Sequence, residues 1–408
     1  MSMRRGRNVR RRAASIAAVV AVALLVLGAT AGEARTAKAP TRSTIALTRV
    51  GLTNSKLVAT VKLRASKTAT RWRLRIDGKQ LAAVSLKKRV ATTGFLAPGD
   101  HTVQAVVQNR RGATLARSTT RTFHVNAIVA AAGDIVCDPT DPGYAGTGAE
   151  CHFRQTLALL GLKHYHAIFT LGDEQYECGT ANAFQVAYAP TWGKYKSITH
   201  PAVGDHEYGT TKLDCGGGNK ASGYFSYFGA AAGDPTKGYY SYDLGGWHVV
   251  VLNANCNEIG GCQTGSPEET WLQADLAAHP ALCTVAYWHE PRWSSALAGD
   301  ATQTDAFWRD LYAAKVDLVL NGHAHIYERF APQNPDGVVV PDGITEIISG
   351  VGGRSFAAIT NPPHANSVVR ENDTYGIVSL SLGKTGYSWQ FVPEQGKTFT
   401  DSGSAACH

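Results

Sequence analysis

The sequence has no cysteine before residue 137 and no C-x-x-C pair. Without that spacing, a structural zinc site of the usual kind is disfavoured. The number of cysteines is nonetheless even, at eight, which is typical of disulfides formed in an oxidising compartment. Cys256 and Cys262 are close enough in sequence to close one loop. The pairing of the others stays open, because eight cysteines allow about 105 connectivities.

The chain also lacks an apolar run long enough to span a membrane. Ile16–Leu27 falls short of the roughly 20 residues required, follows an arginine-rich start, and is succeeded by Ala29-Thr30-Ala31. This order predicts a signal peptide over residues 1–31, followed by a polar linker over residues 32–43. Twin-arginine export stays open, although its full signature is absent. We therefore expect a secreted or cell-surface protein without a transmembrane segment in the mature chain.

Acidic residues are scarce between residues 41 and 126, where 17 Lys and Arg accompany only 2 Asp. Residues 127–408 reverse this balance, with 15 basic and 29 acidic residues, so the net charge of +8 describes neither part. The basic charge is interpreted either as a solvated strand surface or as a binding surface for anionic cell-wall polymers or polyanionic substrates. No recognition helix or aromatic ladder points to specific nucleic-acid binding.

The basic segment has the pattern of a small all-β domain. Leu57–Leu63 and Arg71–Ile76 alternate apolar and polar residues, and Asp77-Gly78 then supplies a hairpin turn. Further turn signals recur about every 10 residues, as expected for such sandwiches. We predict an immunoglobulin-like β-sandwich over residues 44–126, held by its apolar core alone because it contains no cysteine.

The remainder, residues 127–408, is long enough for one large α/β domain. Continuous apolar runs predict strands that are buried on both faces. Apolar, helix-forming segments lie between the runs and predict helices over Arg154–Leu162, Glu268–Ala278 and Thr304–Ala314. The five runs are Ala127–Ala132, Ala167–Leu171, Pro201–Val203, Cys283–Trp288 and Val316–Leu320.

Each of the five runs ends directly in polar residues of metal-ligand type. Ligands of α/β sheets bind at the carboxyl ends of the strands, so five such ends can converge on one pocket. A single Gly-Asp after a strand is usually a turn, but the repeated pattern indicates a metal site. The polar residues are Asp134; Asp173 with Tyr176; Asp205, His206 and Glu207; His289 with Glu290; and His323 with His325.

These residues resemble the motifs of the calcineurin-like metallophosphoesterases, and among them the purple acid phosphatases and their bacterial relatives. The resemblance covers about residues 127–392. Its most specific parts are Gly172-Asp173-Glu174-Gln175-Tyr176, which matches G-D-x-x-Y, and Gly322-His323-Ala324-His325, which matches G-H-x-H. It implies a four-layer α/β/β/α sandwich that hydrolyses phosphate monoesters.

The resemblance also implies a centre of two metal ions. Asp134, Tyr176 and His325 would bind one ion, Asp205, His289 and His323 the other, and Asp173 would bridge them. A phenolate with carboxylates suits Fe(III), and imidazoles suit a divalent Fe, Zn or Mn. A hydroxide held by the metals would attack phosphorus while His206 protonates the leaving oxygen. Glu207 would either orient His206 or close a salt link, and no substrate-binding residue is assigned.

Two residues depart from the family pattern. Asp205 stands where relatives have a neutral Asn, and Glu290 stands where relatives often have another His, so metal choice and pH optimum are open. A phosphodiesterase is the nearest alternative, because the same centre serves both reactions. An inactive, polyanion-binding surface protein is the second alternative. His248 is interpreted as a hydrogen-bonded core residue, and Trp293 as a residue able to line the pocket.

Overall fold

The computed structural model describes residues 40–209, 215, 220–360 and 362–408. The predicted signal peptide and most of the linker lie outside the described residues, as does most of the loop between Gly209 and Ala221. Within the described part of the chain, no helix is both long and apolar enough to cross a membrane.

The N-terminal module, residues 44–125, consists of two antiparallel sheets. The smaller sheet has the strand order β1-β2-β6. The larger sheet has the order β4-β3-β7-β8, and in addition β5 pairs with β3 and β9 pairs with β7. The strands are β1 (Thr44–Thr53), β2 (Lys56–Arg64), β3 (Ala69–Ile76), β4 (Lys79–Gln80), β5 (Val84–Ser85), β6 (Val90–Phe95), β7 (Gly99–Asn109), β8 (Thr114–Arg117) and β9 (Arg121–Val125).

Alternation along these strands places apolar side chains in one core between the two sheets. Leu57, Ala59 and Val61 come from one sheet, and Trp72 and Leu74 come from the other. Facing sheets of this kind form a β-sandwich. The immunoglobulin-like topology and the boundary near residue 126 stay predictions.

The rest of the chain contains 13 strands among the described residues. They are β10 (Ala127–Ala132), β11 (Ala167–Leu171), β12 (Thr199–Ala202), β13 (Tyr240–Leu244), β14 (Trp247–Val251), β15 (Thr284–Trp288), β16 (Leu318–Asn321), β17 (Tyr327–Phe330), β18 (Thr345–Ser349), β19 (Ser367–Glu371), β20 (Gly376–Leu382), β21 (Gly386–Pro393) and β22 (Ser402–Ala406).

The helices are short, and several have a single turn. The α-helices are α1 (Phe153–Leu160), α2 (Ala181–Ala183), α3 (Asp205–Tyr208), α4 (Ser222–Phe228), α5 (Cys256–Ile259), α6 (Pro267–Ala278) and α7 (Asp305–Ala313). A π-helical turn covers Phe184–Tyr188, and 3-10 helices cover Trp192–Ile198, Gly229–Ala232 and Thr302–Thr304. Ser266 caps α6, since its hydroxyl accepts from the backbone N–H of Glu269 at 3.3 Å and proline follows at the first helical position.

The strands after residue 126 form two mixed sheets. The first has the order β12-β11-β10-β20-β21-β22, and the second has the order β13-β14-β15-β16-β18-β17-β19. The strands β10, β11 and β12 run parallel, as do β14, β15, β16 and β18. Their carboxyl ends therefore lie along the same edge of each sheet.

Three apolar clusters define the layers of this region. One cluster lies between the two sheets and includes Phe169, Tyr287 and Phe391. The outer face of the first sheet is covered by α1, α4 and the π-helical turn. The outer face of the second sheet is covered by α6 and α7. The result is the layer order helix, sheet, sheet, helix.

Four disulfides join all eight cysteines. The predicted Cys256–Cys262 pair is confirmed and closes the short loop that contains α5. Cys283–Cys407 is the longest connection, with a sequence separation of 124, and fixes the C-terminus beside the start of β15. The other pairs are Cys137–Cys151 and Cys178–Cys215.

Candidate metal centre

The loops that follow the parallel strands carry left-handed backbone at four polar residues. The φ angles are 59° at Asp134, 50° at Asp173, 64° at His323 and 49° at His325. Such angles are uncommon outside glycine, and they cluster at functional sites, where the surrounding structure holds them. All four belong to the predicted ligand set.

One group of donors consists of Asp134, Tyr176 and His325. The Tyr176 hydroxyl donates to Asp134 Oδ1 at 2.9 Å and lies 2.9 Å from His325 Nε2. The same Nε2 lies 3.1 Å from Asp134 Oδ1. The structure thus brings a carboxylate, a phenol and an imidazole to one point.

A second group consists of Asp205, His289 and His323. His289 Nε2 lies 3.0 Å from Asp205 Oδ1 and 3.3 Å from His323 Nδ1. His323 Nδ1 lies 3.4 Å from the same carboxylate oxygen. These three donors all fall within 4.8 Å of one another, which is compatible with a single ion.

Asp173 lies between the two groups. Its Oδ2 is 3.3 Å from His289 Nε2, and its Oδ1 accepts from the His206 backbone N–H at 3.0 Å. One ligand atom from each of Asp134, Asp173 and His289 also falls within 4.8 Å of the others. The structure therefore brings the side chains of all seven predicted ligands together, with Asp173 between the two groups.

Two outer contacts orient the imidazoles. His289 Nδ1 lies 2.8 Å from the Leu171 carbonyl, and His325 Nδ1 lies 2.9 Å from Ser355 Oγ. A donor role for each Nδ1 leaves Nε2 with a lone pair directed at the centre. These two supporting residues were missed by the sequence reasoning, because a carbonyl and a serine in a loop carry no recognisable pattern.

Glycine at two positions permits the close packing of the ligands. A Cβ on Gly204 would meet the Asp173 carboxylate and backbone, and a Cβ on Gly172, where φ is +85°, would meet the His289 ring. Both glycines directly precede a predicted ligand. The chain can therefore fold these ligands against one another only without side chains there.

The electrostatic state of the donors suits a cation. Burial would raise the pKa of Asp205, but hydrogen bonds from His289 and His323 hold it well below its ordinary value. Burial would likewise lower the pKa of His289, but Asp173 and Asp205 raise it well above its ordinary value. Asp134 and Asp173 are buried, and their described partners are imidazoles, a phenol and backbone rather than Lys or Arg.

The Tyr176 phenol is equally constrained. Its burial, with the charges of Asp134 and Asp173 beside it, raises its pKa well above the ordinary value. A phenol in this position ionises only if positive charge joins the carboxylates. A donor set of three carboxylates, three imidazoles and one phenol therefore fits two metal ions, and the phenol favours a hard, highly charged ion for one of them.

His206 lies at the edge of the centre. Its Nδ1 is 2.5 Å from the Glu177 carbonyl, and its Nε2 is 3.9 Å from Asp173 Oδ2. Its ring lies 4.3 Å from the Tyr176 ring. Burial lowers the pKa of His206, but the Asp173 and Asp205 charges outweigh it and raise the pKa above the ordinary value. The ring therefore presents Nε2 to the ligands.

Glu207 has backbone partners rather than His206. Its carboxylate accepts from the backbone N–H groups of Asp173, Gln175 and Gly204, each at 3.0 Å. Burial and the nearby Asp173 raise its pKa to about 8. The side chain ties the loop after β11 to the start of α3.

A charged network behind His206 was also missed by the sequence reasoning. Arg354 lies 2.6 Å from Glu177, 3.0 Å from Glu150 and 3.2 Å from Asp141. Its guanidinium lies 5.4 Å from the centroid of the Tyr176 ring. The sequence signal for Arg354 was its position directly after Gly352-Gly353, shortly after the segment that forms the buried strand β18. The network fixes Glu177, whose carbonyl holds His206.

Three residues that the sequence singled out have other surroundings. Buried His248 bonds Asp275 at 2.8 Å, in keeping with its interpretation as a core residue. Trp293 stacks under Arg292 at 4.0 Å rather than against a metal ligand. Glu290 is buried, which raises its pKa.

Parts of the chain are similar in sequence to curated plant proteins. No family model matches the chain. Purple acid phosphatase 22 of Arabidopsis thaliana is 31% identical over 169 residues, which is 37% of this chain and 36% of that protein. Probable purple acid phosphatase 20 of the same plant is 26% identical over 198 residues, covering 44% and 43%. The matches thus span less than half of these curated relatives.

Solved structures extend the similarity to most of the chain. Purple acid phosphatase PPD1 from yellow lupin (Lupinus luteus) seeds aligns with a TM-score of 0.56 and 17% identity, covering 89% of this chain and 74% of that one. The protein described as GAP50, the anchor in the inner membrane complex of Plasmodium, aligns with a TM-score of 0.50 and 13% identity, covering 70% and 90%.

The shared architecture confirms the predicted α/β metallophosphoesterase fold. The plant proteins that match in sequence are both named as purple acid phosphatases. In sequence and in fold, the chain is therefore similar to metallophosphoesterases of the purple acid phosphatase type.

Proposed function

We propose that this protein is a secreted, dinuclear-metal phosphoesterase that hydrolyses phosphate monoesters. The convergence of seven donor side chains at the carboxyl ends of the parallel strands is the observation that carries the proposal. Asp134, Tyr176 and His325 would hold one ion, and Asp205, His289 and His323 the other, with Asp173 between them. Two bound ions would supply the positive charge that polarises a phosphoryl group and makes water more acidic.

His206 is proposed to give a proton to the leaving oxygen. The contact with the Glu177 carbonyl fixes the ring, and Nε2 then faces the ligands. The Arg354–Glu177 ion pair keeps that carbonyl in place, and Glu207 holds the loop that carries Asp173. Glu207 therefore supports the reaction by positioning ligands rather than by contact with His206.

A comparison of two substrates, one whose leaving group needs a proton and one whose leaving group does not, tests this role of His206. His206→Asn is expected to slow hydrolysis of an alkyl monoester by about 10²- to 10⁴-fold, the usual worth of a general acid. Hydrolysis of p-nitrophenyl phosphate should fall far less, because p-nitrophenolate leaves without a proton. An equal loss on both substrates, at unchanged metal content, would show that His206 is not the acid.

The metal assignment is tested by metal analysis with a visible spectrum. We expect two ions per chain, Fe(III) with a divalent Fe, Zn or Mn, and an absorption band from the Tyr176 phenolate on Fe(III). Tyr176→Phe should abolish that band. Tyr188→Phe is a matched control, since Tyr188 is also fully buried but its ring packs against Tyr227. Persistence of the band in Tyr176→Phe would overturn the assignment.

Two alternatives make different predictions. A phosphodiesterase would turn over bis(p-nitrophenyl) phosphate faster than p-nitrophenyl phosphate. An inactive polyanion-binding protein would hold less than one equivalent of metal. The buried, mutually bonded donors favour a working centre over the second alternative.

Secretion is supported by the four disulfides, which require an oxidising compartment. Sequencing the N-terminus of protein recovered from culture medium tests it. Cleavage after residue 31 is expected, and retention of the arginine-rich start inside the cell would contradict it.

A further inference from the structure

The outer surface of the larger N-terminal sheet carries a cluster of arginine and glutamine side chains. Trp72, Leu74 and Ile76 of β3 point into the core, so the residues that alternate with them point outward. We call this outer surface the arginine–glutamine face. It consists of Arg71, Arg73, Arg75 and Arg117 with Gln80, Gln104 and Gln108.

The register places the cations in rows. Arg73 is opposite Val106, which in turn is opposite Arg117, so one row crosses three strands. Arg71 pairs with Gln108, and Arg75 pairs with Gln104. Alternate residues of one strand lie about 7 Å apart, and the three arginines of β3 form a second, perpendicular row.

The charge of this face is not compensated within the described part of the chain. Among the described residues, no Lys or Arg between residues 41 and 126 forms an ion pair. The two acids of the module pair with other residues, Asp77 with His101, and Asp100 with His124 and Lys384. A polar face that served only solubility would usually mix both signs.

Arg73, at the centre of this face, is held in place by hydrogen bonds. Arg73 donates to Gln108 at 3.1 Å and to the Leu81 carbonyl at 2.6 Å. Val106 alternates with core residues and is nevertheless fully buried, so neighbouring side chains cover it. Arg71 Nε and Arg75 Nε are buried without a hydrogen-bond partner. Ordered guanidinium groups lose less entropy when they bind an anion.

From these observations we propose that the arginine–glutamine face binds a linear, phosphate-bearing polyanion. Planar guanidinium groups donate paired hydrogen bonds to phosphate, and the rows would meet successive anionic groups of an extended chain. The choice of phosphate over sulfate or carboxylate rests on the proposed function, whereas the choice of a polyanion rests on the face alone. Binding would retain the enzyme where phosphate esters are abundant.

The test measures binding of long-chain inorganic polyphosphate to the mature protein between 0.05 and about 0.3 M salt, where counterion release should dominate. The variant Arg71→Gln/Arg75→Gln/Arg117→Gln leaves Arg73 and its internal bonds intact. Each lost phosphate contact removes about 0.7 of a released counterion on a single strand, so affinity at about 0.15 M salt should fall about 50-fold. The salt slope should fall by about two.

A control variant removes the same charge from another surface. Lys62, Arg64 and Lys67 are exposed on β2 and the following turn, outside the arginine–glutamine face. Lys62→Gln/Arg64→Gln/Lys67→Gln should keep affinity within about threefold. Melting temperature and p-nitrophenyl phosphate hydrolysis should match wild type in both variants, which separates a folding or catalytic defect from a binding defect.

Several results would overturn the proposal. Equal weakening by both variants would show diffuse charge rather than a site. Tighter binding to single-stranded DNA, heparin or a carboxylate polymer than to polyphosphate would replace the phosphate polymer with another partner. If wild type hydrolysed p-nitrophenyl phosphate but did not bind polyphosphate at about 0.1 M salt, the arginine–glutamine face would not be a polyanion-binding site. The proposed phosphoesterase function would be unaffected.

Discussion

Asp401→Asn should destabilise the junction between the two large sheets. The Asp401 carboxylate accepts from Tyr327 at 2.7 Å, from Trp389 at 3.0 Å and twice from Arg329, at 2.6 and 3.1 Å. Tyr327 and Arg329 belong to β17 of the second sheet, and Trp389 belongs to β21 of the first. One largely buried carboxylate therefore links both sheets.

The magnitude follows from the bonds that Asn cannot make. Asn keeps one acceptor oxygen, turns an amide N–H toward existing donors, and leaves the Arg329 charge without its partner. Charge-assisted bonds contribute about 1.5–3 kcal/mol each and an unsatisfied buried donor costs about 1–3 kcal/mol. Allowing for relaxation, we expect a loss of about 3 kcal/mol, or about 6 °C in Tm for a region of this size.

The pH dependence gives the same prediction a second readout. Burial would raise the pKa of Asp401, but bonds from Arg329 and Tyr327 lower it below the ordinary value. A lowered folded pKa adds stability that is present above the ordinary value near about 4 and is lost as pH falls through the folded pKa. Wild type should therefore lose its advantage over Asp401→Asn progressively below about pH 4.

The control is Asp373→Asn. Asp373 also has a basic partner, Lys397 at 2.6 Å, but both side chains are largely exposed. Both variants are measured by calorimetry after treatment with a chelator. The Tm of Asp373→Asn should not differ measurably from that of wild type, because exposed ion pairs contribute little to stability. Equal Tm shifts for the two variants, or no shift for Asp401→Asn, would refute the reasoning.

Two further predictions concern residues 127–408. Removing the Cys283–Cys407 disulfide with a pair of serines should cost about 5 kcal/mol and removing Cys256–Cys262 about 2 kcal/mol, because the closed loops differ in length; urea unfolding that reversed this order would contradict it. Gly204→Ala, whose Cβ would meet Asp173, should reduce bound metal below two ions per chain, whereas Gly51→Ala, where a Cβ meets nothing within 4 Å, should not; full metal content in the first variant would show that the Asp173 carboxylate can move aside.

The strands nearest the centre could be predicted from the sequence with little error. Ala127–Ala132 and Ala167–Leu171 have the predicted bounds, because strands buried on both faces are continuous apolar runs. The strand predicted over Pro201–Val203 instead covers Thr199–Ala202. Thr199 and His200 are polar, but they pair with β11 and so belong to the sheet.

The proximity of the candidate ligands could be predicted because they follow those strands, but the residues that support them could not. Ser355 and the Leu171 carbonyl contact the imidazoles only after distant segments pack together. Glu207 shows that adjacent positions in the sequence do not predict shared contacts. Successive residues of a helical turn point about 100° apart, so His206 and Glu207, although adjacent in sequence, face different partners.

The left-handed backbone at Asp134, Asp173, His323 and His325 governs how the centre can be probed by mutagenesis. A β-branched or alanine replacement at these positions would combine loss of a ligand with a backbone conformation that the new residue resists. Asparagine tolerates this conformation and keeps the size of aspartate. Asn variants of Asp134 and Asp173 therefore remove the carboxylate charge without opposing the backbone conformation, whereas alanine variants would change the side chain and the loop conformation together.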